Sequence, residues 1–223
     1  MIDIHSHILP GVDDGSKSMV ETLAMLEGAK AAGVSAIIAT PHVKAIETNL
    51  HHIREAYEKV KPLAARSGIR LHLGFECHAR LFLDCDEPGD LRAFCIERTN
   101  VVLLEFPLCD LPWRWENDIY QLQRLGMEVI LAHPERYAPV QADISIAARM
   151  IQIGCELQLS TGSLCAGCFS LERVCANKLL QEGLTHYLAS DAHCAADYRA
   201  YAQVYKKYKR LIAGGALLDG YGA

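Results

Sequence analysis

The chain begins MIDIHSHILPGVDDGS. His5 and His7 stand two apart on an apolar start, and strand alternation puts such residues on one face. Paired imidazoles with carboxylates close behind, here Asp13 and Asp14, are donors for a divalent metal. The same spacing also describes an ordinary inward strand face, so the rest of the chain must decide. Further along, apolar runs end repeatedly in the same residue types. VSAIIATPHV ends at His42, RLHLGFECH at Glu76, VVLLEFP at Glu105, EVILAHPERY at His133 with Glu135 and Arg136 beyond, and HYLASDAH at Asp191 and His193. Only CELQLSTGS supplies no charge. Apolar strands need no terminal carboxylate for stability, and an unpaired buried charge is costly. The joint pattern therefore points to metal ligation by His5, His7, Asp14, His42, Glu76, Glu105, His133, Asp191 and His193. That set exceeds one ion and fits two or three. Mixed imidazole and carboxylate donors suit Mn, Fe or Zn. Such clusters activate a water and clamp the oxygens of a displacement at phosphorus.

The elements that must position these residues follow from periodicity. Strands are expected over Ile2–His5, Val34–Thr40, Leu71–Glu76, Val101–Glu105, Glu128–His133, Glu156–Ser160 and Tyr187–Asp191. Between them run helical patterns. Met19, Leu23 and Leu26 follow a capping box of Ser18 and Glu21, and Leu50, Ile53, Tyr57, Val60 and Ala64 form a stripe. Ile144, Ala147, Ala148 and Ile151 form another, and a last helix starts near Tyr198. Gly33, Gly68, Gly126, Gly154 and Gly183 stand where helices close. Strands that alternate with helices predict one α/β domain over 1–223, a distorted (β/α)7 TIM-like barrel with its chemistry at the C-terminal strand ends. The stretch from Cys77 to Asn100, with Pro88-Gly89, reads as a surface excursion with short helical pieces.

Composition bounds the alternatives. Hydrophobic residues make up 51% and charged residues 22%, and the net charge is −5 with no long basic run, so no nucleic-acid role is expected. No apolar run approaches the roughly 20 residues of a membrane span, and the start lacks a signal-peptide pattern, so a cytoplasmic protein without membrane insertion is expected. Nine cysteines, including one Cys-x-x-Cys at Cys165 and Cys168, read as thiols rather than a disulfide framework. No Cys-x5-Arg and no Gly-x4-Gly-Lys-Ser/Thr loop occurs. His51, His52, His72 and His186 keep ordinary surface or strand roles, and Asp13 reads as a turn former. His78 stands two beyond Glu76, on the same strand face, and Trp113 and Trp115 either line the mouth of the site or pack over the rim.

DIHSHILPGVDDGS, ATPHV, GFE, LLEFP, LAHPERY and SDAH, in this order from residue 3 to residue 193, resemble the PHP (polymerase and histidinol phosphatase) superfamily. Within it the chain resembles the bacterial tyrosine-protein phosphatases encoded with capsule and exopolysaccharide genes. The resemblance implies the PHP fold, three ions, often Mn2+, and hydrolysis of phosphotyrosine by a hydroxide held between ions. It also implies a partner, a bacterial tyrosine kinase whose C-terminal tail is the substrate. By motif, one ion would take His5, His7, Glu105 and Asp191, a second Asp14, His42 and His193, and a third Glu76, Glu105 and His133, with Glu105 bridging. Arg136 matches the arginine that binds phosphate. Arg199 is offset from the place of a second arginine, and Cys194 stands where that motif usually has Asn. GFECH likewise departs from the usual residues after the Glu. Three other readings remain open: a small-molecule PHP phosphatase such as one for histidinol phosphate, an amidohydrolase, for which no bridging lysine closes a strand, and a non-catalytic metal module that docks on the kinase.

Overall fold

The computed structural model describes residues 1–45, 47–83, 91–215 and 217. Nine parallel strands occupy seven positions around an apolar interior: β1 Ile2–Ser6, β2 Ala36–Ala39, β3 His42–Val43, β4 Arg70–Leu73, β5 Glu76–His78, β6 Val101–Glu105, β7 Glu128–Ala132, β8 Glu156–Ser160 and β9 Tyr187–Ala189. The α-helices between and after them are α1 Met19–Ala31, α2 Leu50–Arg66, α3 Arg80–Leu83, α4 Trp115–Arg124, α5 Ala138–Ala142, α6 Ser145–Gln152, α7 Thr161–Cys165, α8 Leu171–Gln181 and α9 Asp197–Tyr208. The expected alternation of strand and helix holds throughout. Pro88-Gly89 lies outside the described residues.

The second and third expected strands are each broken in two. Pro41, which has no N–H to donate, separates β2 from β3, and Gly74-Phe75 separates β4 from β5. A Cβ on Gly74 would stand 3.0 Å from the side chains of Ile38 and Ile96, so the chain bends there only because glycine lets the interior close over it. The breaks leave two parallel sheets, β1-β2-β4 and β3-β5-β6-β7-β8-β9. They meet again between β9 and β1. There Ser6 bridges Ala192, the His7 N–H donates to the Ala192 carbonyl at 2.9 Å, and the Asp191 N–H donates to the His5 carbonyl at 2.9 Å. The buried Asp3 carboxylate seals the seam, accepting from the Ser190 N–H at 2.8 Å and the Ser190 hydroxyl at 2.6 Å.

Two apolar layers hold the sheets in place. Inside lie Ile4, Ile38, Val101, Leu103, Ile130 and Tyr187, with Leu217 across the end. Outside, the larger core packs helices on the strands. On α2 the buried face is Ile53, Tyr57, Val60 and Ala64, as the stripe predicts. On α1 it is Thr22, Met25, Leu26 and Ala29, and Leu23 is exposed, contrary to the expected stripe. The Thr22 hydroxyl donates to the Ile8 carbonyl at 2.9 Å, which lets a polar residue face inward and rotates the helix. Ser18 caps α1 as expected, although the Glu21 carboxylate accepts from the Lys17 N–H rather than that of Ser18.

The seam at Asp3 gives the first prediction. Asp3→Ala leaves the Ser190 N–H without its acceptor inside the wall, while the hydroxyl keeps the His5 carbonyl, and is expected to cost about 1–3 kcal/mol, read as a lower denaturation midpoint. A variant as stable as the parent would mean that the backbone bridge alone closes the ring.

Candidate metal centre

β1 aims its histidines by a bulge. Asp3 pairs with Ile37 and Ser6 with Ala39, so β1 fits one extra residue against β2. Ile4 belongs to the interior, while the Ser6 hydroxyl reaches outward to Tyr198 on α9 at 2.8 Å. His5 therefore turns inward beside Ile4, and His7 follows on the same side. Each ring is fixed from behind. His5 Nδ1 donates to Gln158 Oε1 at 2.9 Å, and His7 Nδ1 donates to Asp13 Oδ2 at 2.8 Å. Both Nε2 atoms are thereby turned to the same spot, 3.1 Å apart, where they hydrogen-bond through a shared proton and where deprotonation would leave two metal donors.

Carboxylates complete the cluster. Glu76 Oε2 is 3.4 Å from the Nε2 of both histidines and 2.8 Å from His42 Nδ1, and Glu76 Oε1 is 2.7 Å from His133 Nε2. Asp191 Oδ1 lies 3.5 Å from His5 Nε2 and 3.3 Å from His7 Nε2, while its Oδ2 lies 2.6 Å from Arg136 Nη2. His193 stacks on His7 with centroids 4.2 Å apart, and its Nε2 is 3.5 Å from Asp14 Oδ1. Asp14 Oδ1 is also 3.3 Å from His42 Nε2. Burial opposes charge on Glu76 and Asp191, yet the imidazoles around both, and Arg136 beside Asp191, hold each well below the usual carboxylate range. Burial likewise opposes charge on His5 and His7, and the surrounding carboxylates outweigh it and raise both.

These donors fit divalent ions. Ligands at about 2.0–2.2 Å from a tetrahedral ion stand about 3.3–3.6 Å apart. The contacts of the two Nε2 atoms with Glu76 Oε2 and Asp191 Oδ1 run from 3.3 to 3.5 Å. Glu76 Oε2 is buried without an aligned hydrogen bond. Glu76 and Asp191 are held as carboxylates here by the imidazoles and by Arg136, the kind of negative charge that bound cations would offset. Three groups have ligand atoms within 4.8 Å of one another: His7, Asp14, His42 and His193; His5, His7 and Glu76; and His42, Glu76 and Glu105. All nine candidates thus lie in one cluster or on its edge. Glu76 stands nearer to these imidazoles than Glu105 does: Glu76 pairs with Leu103, and Glu105 pairs with His78, two residues nearer the mouth. Glu105 Oε1 is accordingly 3.9 Å from His133.

A family model described as capsular polysaccharide synthesis, CpsB/CapC, matches residues 1–211. The chain belongs to the CpsB/CapC family. It is 31% identical over 197 residues to tyrosine-protein phosphatase YwqE of Bacillus subtilis (strain 168), covering 86% of this chain and 77% of that protein. It is 30% identical over 203 residues to the putative tyrosine-protein phosphatase CapC of Staphylococcus aureus, with the same coverage. Solved structures of YwqE from Bacillus subtilis and CpsB from Streptococcus pneumoniae, described as unique metal-dependent tyrosine phosphatases, include a match with a TM-score of 0.81. That match is 26% identical and covers 97% of this chain and 89% of the other.

Several residues fall differently from the sequence reading of this CpsB/CapC chain. Asp13 is more than a turn former: its Oδ1 accepts from the Gly15 N–H while its Oδ2 holds His7 and accepts from the His42 N–H at 3.2 Å. Arg199 is exposed on α9, and the residues of that helix lining the cavity beside Asp191 are Asp197 and Ala200. Trp113 is 91% exposed, whereas Trp115 packs against the core. β8, whose exit carries no charge, supplies Gln158 behind His5 and Ser160 beside Arg136, two supports that a search for charged strand ends passes over. Their polar types, alternating with Leu157 and Leu159, were the available signal.

The loop carrying Asp13 and Asp14 is pressed against β1. A Cβ on Gly15 would stand 2.2 Å from the His7 carbonyl oxygen. Gly15→Ala is therefore expected to displace both aspartates and weaken Mn2+ binding by about tenfold or more, measured by calorimetry. Unchanged affinity would mean that the loop does not set the ligand geometry.

Proposed function

We propose that this CpsB/CapC chain is a metal-dependent phosphatase that hydrolyses phosphotyrosine on a protein, with the nine clustered residues holding two or three divalent ions. The observation that carries the reading is the facing pair of His5 and His7 nitrogens ringed by Glu76 and Asp191, with a guanidinium alongside. The names of the relatives supply the substrate class, and the family description supports a setting in capsular or exopolysaccharide synthesis. The partner in this reading is a bacterial tyrosine kinase whose C-terminal tail carries the phosphotyrosine, and the enzyme works in the cytoplasm.

Ions at this site, read as Mn2+ with Fe and Zn served by the same donors, supply an activated water as the nucleophile and neutralise charge at the phosphoryl group. The chain does the rest. Asp13 and Gln158 keep protons on the far nitrogens of His7 and His5, so the near nitrogens remain donors. Arg136, part-exposed at the mouth, offers planar N–H groups to phosphoryl oxygens as negative charge gathers on them. Tyrosine leaves as a phenolate with a pKa near about 10, so departure requires little proton donation.

No thiol attacks phosphorus in this mechanism. Cys77, beside Glu76 in sequence, is buried in the outer core, and burial raises its thiol well above the ordinary range. Burial pushes the Cys155 and Cys175 thiols up to about 12. Cys109, Cys165, Cys168 and Cys194 are exposed. Among the described cysteines, the exposed four are expected to react with iodoacetamide at neutral pH and the buried four, Cys77, Cys95, Cys155 and Cys175, to resist it, as peptide mass mapping would read. Turnover should survive this labelling in a Cys194→Ser background, where no adduct sits next to His193. Loss of turnover with metal still bound would assign a thiol to the reaction.

Phosphate release from a tyrosine-phosphorylated peptide tests the function itself. Release is expected to vanish on chelation, return with Mn2+, and fall by at least a hundredfold in His42→Ala. Release from histidinol phosphate alone would keep the metal chemistry and replace the substrate. No release from either, with metal bound, would leave a binding module.

A further inference from the structure

Arg136 is held by Asp191 and, beyond it, by residues that the reaction as described does not use. Its Nη2 lies 3.0 Å from Ser160 Oγ, which accepts, and 2.6 Å from Asp191 Oδ2. Ser160 is fully buried at the end of β8, and its N–H donates to Glu135 Oε1 at 3.0 Å. Glu135 is also fully buried and directly precedes Arg136 in HPER. The chain thus sends one side chain to the end of the neighbouring strand, and the serine there grips the next side chain along. The other end of the Glu135 carboxylate, Oε2, is buried without an aligned hydrogen bond. A carboxylate in such a place is a costly way to fill space, and apolar packing would serve a purely structural role better.

We propose that Ser160 and Glu135 are positioning residues for Arg136, and through it for Asp191. This rests on the phosphatase reading above, since it concerns the same site. Nη2 has two N–H groups. One goes to Ser160, and Asp191 Oδ2 pairs with the same nitrogen as a close ion pair without hydrogen-bond alignment, so the guanidinium is held at that corner while Nε and Nη1 keep their hydrogens for a ligand. The pinned arginine takes Asp191 Oδ2 and leaves Oδ1 turned toward the histidine nitrogens. A cavity of about 260 Å³ opens beside this contact, lined by Arg136, Ser160, Asp191 and His193 among others. Pinning therefore acts on two readouts, the anion that Arg136 meets and the cation that Asp191 faces. Ser160 does both with a neutral hydroxyl, which holds the guanidinium without competing for its charge.

The test uses the Mn2+-loaded protein and inorganic phosphate as the probe, with calorimetry as the readout, alongside Mn2+ titration of the stripped protein. Ser160→Ala is expected to weaken phosphate binding by roughly tenfold to a hundredfold and to weaken Mn2+ binding in the same direction. Ser160→Thr, which keeps the hydroxyl, should restore both, and Glu135→Gln should fall between them. Melting temperatures are followed throughout, so a loss of binding without a loss of folding is separable. Phosphate and Mn2+ affinities equal to the parent in Ser160→Ala would overturn the proposal, as would equal losses in the Ala and Thr variants. Neither readout needs turnover. A parent protein that binds phosphate but releases none from phosphotyrosine would defeat the phosphatase reading and still decide this one.

Discussion

His5 Nε2 and His7 Nε2 face each other at 3.1 Å, because bonds on the far side of each ring hold the rings in place and turn both near nitrogens to one spot, where they share a proton or a metal ion. Two lone pairs at that distance repel unless a positive charge lies between them. The surroundings sharpen the demand, since Glu76 and Asp191 bring buried carboxylate oxygens to the same place. Much of the chain can be understood as the means of enforcing this arrangement. The bulge in β1 turns His5 inward, Gly15 lets the Asp13 loop approach His7, and the β9–β1 seam sets Asp191 opposite both rings.

Enforcement has a cost, and it appears in the backbone. His133 and Asp191 both take left-handed conformations, with φ of 35° and 50°, which non-glycine residues adopt at an expense of order 1–3 kcal/mol each. Both stand just past a strand end, where the chain must turn while the side chain still faces the cluster. Buried carboxylates add their desolvation. What offsets these terms is the double apolar packing, an interior of branched residues and a larger core under the helices. The site is thus the strained end of a barrel whose other end is ordinary packing.

The residues at strand ends were legible in the sequence because a barrel strand has one exit, and a polar residue there has few other uses. His42, His133 and Asp191 could be found this way. The central place of Glu76 among the imidazoles could not, because it depends on pairing Glu76 with Leu103 rather than with Glu105, and register is written across two strands rather than within one. Asp13 was hidden by its own versatility, as one carboxylate oxygen makes the turn and the other holds His7. The rotation of α1 was hidden in a similar way, since a buried threonine hydroxyl satisfied by the Ile8 carbonyl looks polar in the sequence and apolar in the fold.

The uncharged exit of β8 shows why counting charges finds only half of such a site. His5 is backed by the amide of Gln158, and His7 by the carboxylate of Asp13. A carboxylate behind an imidazole raises its basicity and its strength as a donor, and an amide orients the ring with little such effect. The two histidines are therefore unequal, although sequence presents them as a matched pair. His7 is also the one whose ligand nitrogen belongs to two of the three candidate groups, while His5 belongs to one. The stronger donor thus stands where two positions for positive charge meet. A carboxylate at Gln158 would raise His5 likewise and add negative charge to a centre that already holds Glu76 and Asp191 as carboxylates. Neutral partners on β8 set direction without adding charge, and that is the condition under which the other strand ends can carry so much of it.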